Sequence, residues 1–115
     1  MIGIEQVEEI LKQYAKHGWS LRRVLLSAPT REVLATSVLG QADVFAADFD
    51  ALWFSRSSAN GGAAWELRSL SAAPFALVEV FEEDDDDEVR EEVLADLETQ
   101  MRRRASKPVA QKREV

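Results

Sequence analysis

Residues 50–81 read DALWFSRSSANGGAAWELRSLSAAPFALVEVF, and the way this stretch divides into runs and breaks decides the fold. Residues 50–56 (DALWFSR) are rich in aromatic and aliphatic side chains, which suits a strand. Residues 57–62 (SSANGG) interrupt the run with Asn-Gly and Gly-Gly, pairs that reach positive φ at low cost and so close hairpins. In residues 64–70 (AWELRSL), Trp65, Leu67 and Ser69 alternate with Glu66 and Arg68, the period of a half-buried strand. A connector at residues 71–74 ends in Pro74 and leads into residues 75–81 (FALVEVF), a third strand. Successive strands joined by short turns predict an antiparallel meander.

Working outward toward the N-terminus, Ile4, Val7, Leu11 and Tyr14 recur at helical spacing, with Ile10 widening the stripe. Glu8, Glu9, Lys12 and Lys16 fall on the other faces, so residues 4–16 read as an amphipathic helix. Gly18 is placed to take the left-handed conformation that ends it. Residues 19–27 (WSLRRVLLS) follow as a strand, broken by Ala28-Pro29-Thr30. Pro29 suits a first helical turn, so residues 30–39 are expected to form a short helix closed by Gly40. Val33, Thr36 and Val38 are β-branched, which keeps a hairpin strand as the alternative there. Residues 41–48 read as a connector.

Toward the C-terminus, Val89, Val93, Leu97 and Met101 are spaced four apart and Leu94 thickens the stripe, which predicts a second long helix over residues 84–104. Residues 105–115 (ASKPVAQKREV) have little to bury and contain Pro108, so a basic, mobile tail is expected. The expected architecture is an α+β domain over residues 1–104, in the order α-β-α-β-β-β-α. It is a two-layer fold: an antiparallel sheet of about four strands with both long helices packed on one face.

Composition bounds the function. A chain of 115 residues buries roughly 65% of its unfolded surface, enough for one core without staples. There are no cysteines, so disulfides, thiolate metal sites and a cysteine nucleophile are excluded. Acids follow Met1 closely, without a basic or apolar leader, and no apolar stretch approaches the ~20 residues of a membrane span. A soluble cytoplasmic protein without a membrane role is the expectation. The net charge of -7 repels nucleic-acid phosphates and argues against DNA or RNA as a partner.

That acidity is local. Glu82, Glu83, Asp84, Asp85, Asp86, Asp87 and Glu88 form an unbroken run, and without it the remaining acids and bases balance. One or two of these carboxylates would suffice to cap the following helix and complement its dipole. Packed like charges repel, so the surplus points to solubility or to docking of a basic protein. No glycine turn or alternating ligand pattern makes the run a calcium loop, and no metal or cofactor is expected. Arg102, Arg103 and Arg104 at the other end of the same helix suit its C-terminal dipole, or could meet the acidic run of a second copy.

Chemistry is sparse elsewhere. His17 is the single histidine and sits at a helix end, and no Gly-x-Ser-x-Gly elbow is present. Asp43, Asp48 and Asp50 suit turns and a strand start, and Asn60-Gly61-Gly62 lacks the Lys-Ser/Thr of a phosphate loop. No catalytic set is expected. The last strand is apolar on both faces, so its Phe75, Leu77 and Phe81, together with Trp53 of residues 50–56, are candidates for a self-association surface. The functional expectation is a non-enzymatic binding or adaptor module, chaperone-like or neutralising, that engages a basic protein through residues 82–88. The alternatives are a small-molecule or enzymatic groove near residues 30–48, with at least two convergent polar groups, and a structural homodimer.

Overall fold

A computed structural model describes residues 4–33, 42–59, 61–70 and 75–106. The elements are α1 (Ile4–Lys16), β1 (Ser20–Leu26), α2 (Ala28–Val33), β2 (Asp43–Ala46), β3 (Ala51–Ser57), β4 (Ala63–Ser69), β5 (Ala76–Phe81) and α3 (Asp87–Ser106). They build a mixed α+β fold around one five-stranded sheet of order β2-β1-β3-β4-β5. The meander β3-β4-β5 is antiparallel throughout, and β1 pairs antiparallel with β3.

α1 stops where its glycine predicts. Gly18 has φ of 86°, the Gly18 N–H donates to the Ala15 carbonyl at 3.0 Å, and the Trp19 N–H donates to the Tyr14 carbonyl at 3.0 Å. This crossed pair of bonds satisfies carbonyls that the helix end would leave open. The Trp19 ring then meets Tyr14 edge-on at 6.1 Å, which turns the chain sharply into β1.

The structure corrects the expected architecture in particular places. Residues 43–46, read as connector, form the edge strand β2, so the sheet has five strands among the described residues. β2 runs parallel to β1, from Arg23 opposite Asp43 to Leu26 opposite Ala46. All its side chains are exposed, so it carries no buried-face alternation to read. α2 begins at Ala28, with Pro29 inside its first turn, while residues 34–41 of the expected helix and connector lie outside the described residues. α3 begins at Asp87 and continues through Ser106, two residues into the expected tail; residues 107–115 lie outside the described residues.

The expected placement of both long helices on one face is also corrected. Trp53, Ala51 and Leu25 share a core with Leu94, Leu97 and Met101 of α3. Leu52, Phe54, Val24 and Leu26 share a second core with Val7 of α1. Successive residues of a strand point to opposite faces, so α1 and α3 cover opposite sides of β3. The physical reason is the run Ala51-Leu52-Trp53-Phe54, which is buried at every position and needs cover on both faces.

Asp50 locks three elements together. Its Oδ1 accepts from the Ser27 N–H at 2.7 Å and the Ser27 hydroxyl at 3.0 Å, and its Oδ2 accepts from the buried Thr30 hydroxyl at 2.9 Å. Its carbonyl takes the Leu70 N–H at 3.0 Å. The carboxylate therefore anchors the start of α2 to the end of β1. Asp50→Ala should lower the unfolding free energy by about 2 kcal/mol, because it orphans the Ser27 and Thr30 donors. Asp50→Asn, which keeps an acceptor oxygen, should recover part of that loss in urea denaturation. Equal losses would mean that the charge and not the acceptor geometry holds the corner.

Candidate functional site

The acidic run forms the connection from β5 to α3, and each carboxylate can be assigned. The Asp85 N–H donates to the Glu82 carbonyl at 3.1 Å and Asp85 Oδ2 accepts the Glu82 N–H at 2.7 Å, which closes a tight turn. Asp86 Oδ1 accepts the Glu88 N–H at 3.2 Å and the Asp86 carbonyl accepts the Arg90 N–H at 2.9 Å, the two bonds of a helix N-cap. Asp87 pairs with Arg90 at 2.9 Å. Local structure thus employs Asp85, Asp86 and Asp87. The side chains of Glu82, Glu83, Asp84 and Glu88 are exposed and make no hydrogen bond or ion pair among the described residues. No group of three His, Cys, Asp or Glu among the described residues is placed to hold a metal ion.

The run emerges directly from a strand that is unpaired on its outer side among the described residues. β5 is an edge strand, and the carbonyl of Phe75, just before it, accepts the Ser69 N–H at 2.9 Å at the start of its pairing with β4. Alternation then directs the backbone groups of Leu77, Glu79 and Phe81 toward β4 and those of Ala76, Val78 and Val80 outward. The side chains of Val78 and Val80 are 52% and 54% exposed. They lie on the α1 side of the sheet, opposite Glu66 and Ala64, but α1 sits over β1 and β3 and does not reach them.

The residues named as a self-association surface lie on the other side. Trp53 is fully buried and its indole N–H donates to Glu98 Oε2 at 2.7 Å. Phe81 is buried in the same core, and Phe75 and Leu77 are half-buried against it. α3 covers all of them, so within this fold they pack the core, and the exposed apolar face of β5 belongs to Val78 and Val80.

At the far edge of the sheet, α3 and the β1–β2 pair enclose a groove of about 620 Å³, lined among others by Arg23, Asp43, Phe45, Glu91, Glu98 and Arg102. It overlaps part of the stretch where a groove was expected and gathers polar groups of both signs. Arg23 is held by Glu91 at 2.7 Å, and that hydrogen bond, outweighing partial burial, keeps the Glu91 carboxyl below its ordinary range. The register of β1 against β3 slips at Arg22, with Leu21 opposite Phe54 but Arg23 opposite Trp53. The bulge sets the Arg22 and Arg23 guanidiniums 5.6 and 5.4 Å from the Trp65 ring, and Arg90 joins them at 5.9 Å. The alternating sequence hides this cluster, because the bulge breaks the period.

His17 lies on the opposite face beside Tyr14, Trp19, Arg56 and Glu66. Arg56 stacks 4.5 Å over Trp19 and donates to the His17 carbonyl at 3.0 Å. The Tyr14 hydroxyl donates to Glu66, and burial first, then that carboxylate, raises the phenol above its usual range. Tyr14 also stacks on Phe54 at 3.9 Å. These contacts pin the end of α1 to the sheet.

Comparison with protein-family models, with curated proteins and with solved structures finds no match for this chain. No helix among the described residues is long and apolar enough to cross a membrane.

Proposed function

We propose that the chain is a non-enzymatic protein-binding module that docks a basic partner on the connection between β5 and α3. The observation that carries this reading is the surplus of charge there. Asp85, Asp86 and Asp87 already build the turn, the cap and the first-turn ion pair. Glu82, Glu83, Asp84 and Glu88 add negative charge that no hydrogen bond or ion pair among the described residues offsets. Crowded like charges destabilise the free protein, and a Lys- or Arg-rich surface relieves that repulsion while steering its own approach. Chaperone-like and neutralising roles both use such an encounter.

The assignment of carboxylates makes a clean variant possible. Replacing Glu82, Glu83 and Glu88 by Gln and Asp84 by Asn removes the surplus and leaves the turn and cap intact. A basic protein captured from lysate by the wild type, identified by mass spectrometry and titrated in purified form, should bind the variant roughly ten- to hundredfold more weakly. The wild-type affinity should also fall as salt rises. Equal affinity for both forms would place the interface elsewhere on the molecule.

A further inference from the structure

We infer that β5 is a self-pairing edge and that its occupant is the β5 of a second copy, run antiparallel about a two-fold axis at Val78. The backbone supports this, because Ala76, Val78 and Val80 direct their N–H and carbonyl groups away from β4. An axis at Val78 sets Val78 opposite its own copy and Ala76 opposite Val80 on each side. Those pairings supply about six inter-chain backbone hydrogen bonds. They also join the exposed apolar side chains of Val78 and Val80 into one continuous strip. Edge strands of monomeric proteins are commonly blunted by charge or proline, and this face of β5 carries neither.

Charge selects the direction and the register. In a parallel pairing the two acidic runs would meet. In the antiparallel one, each run lies beside the start of the partner strand, where the Arg104 guanidinium covers Phe75 at 4.0 Å. Centring the axis one residue later would set two Glu79 carboxylates face to face in the closely spaced pairing, at a repulsive cost. With the axis at Val78, Glu79 faces Leu77 instead. The inference needs no basic partner: the backbone and valines of β5 supply the pairing, and the acidic run decides only its direction.

The absence of cysteine from the chain makes the test direct. In an antiparallel hydrogen-bonded pair the Cα atoms lie about 5.5 Å apart, within disulfide reach. Val78→Cys should therefore cross-link into a covalent dimer on mild oxidation, while Val44→Cys on the opposite edge strand should not. In sedimentation equilibrium the wild-type chain should dimerise, less tightly in high salt. Val78→Lys should weaken dimerisation by roughly a hundredfold or more through the repulsion of facing ammonium groups. Circular dichroism shows whether that variant keeps its fold, and Val78 is exposed enough for Lys to be tolerated. A wild type that stays monomeric at high concentration would overturn the inference. So would a dimer that survives Val78→Lys, or one that cross-links through Val44→Cys and not through Val78→Cys.

Discussion

Trp53→Ala should cost about 3–5 kcal/mol of unfolding free energy, the range for truncating a large buried aromatic. Trp53 sits in the central strand with no exposed surface, edge-on to Trp65 at 6.0 Å. Its indole is also the donor that holds Glu98 of α3 at 2.7 Å. Truncation opens a void where α3 meets the sheet and leaves a half-buried carboxylate without its donor. Against a total stability of about 5–15 kcal/mol, such a loss brings the domain close to unfolding. Trp53→Phe separates the contributions, since it keeps most of the ring volume and loses the hydrogen bond; about 1–2 kcal/mol is expected. Urea denaturation reads both. A loss below about 1 kcal/mol for Trp53→Ala would mean that α3 does not depend on this contact.

Gly62→Ala is expected to be nearly as damaging, at about 2–4 kcal/mol, for a different reason. A Cβ at Gly62 would overlap the Phe81 carbonyl oxygen and lie 2.8 Å from the carbonyl carbons of Phe81 and Glu82. No flexible side chain can swing aside, so the β4–β5 pair itself has to open. Gly61 is the contrast: its φ of 89° demands the left-handed region, but a Cβ there meets nothing nearer than the Glu83 side chain at 3.6 Å. Gly61→Ala should therefore cost only about 1–2 kcal/mol of backbone strain. Thermal melts of the two variants distinguish a collision from a conformational cost. Because Phe81 and Glu82 lead into the acidic connection, Gly62→Ala should also weaken capture of a basic partner at temperatures where the variant remains folded. If Gly62→Ala melts with the wild type, the strands do not approach as closely as the structure places them.

Much of this was legible along the chain because it depends on local chemistry. The hairpin turn needed Gly61, and the end of α1 needed Gly18; both take positive φ. The apolar stripe of α1 and the sequence from Val93 to Met101 announce helices by their spacing. The signal that the helices take opposite faces was also present in Ala51-Leu52-Trp53-Phe54, an unbroken apolar run of the kind that belongs to a strand covered on both sides. β2 had no such signal, since all its side chains are exposed and its pairing with β1 depends on a register that no local pattern encodes.

The candidate site divides in the same way. Charge alone marks residues 82–88, because a run of like charge is a property of sequence and is felt wherever the chain goes. Which of those carboxylates are already spent depends on the turn, the cap and Arg90, which only the folded connection brings together. Likewise, the residue order along the last strand makes both of its faces apolar. The position of α3 in the fold then covers Leu77 and Phe81 and leaves Val78 and Val80 exposed. Periodicity sets which residues share a face, but the cover of that face depends on where a helix distant in sequence comes to rest.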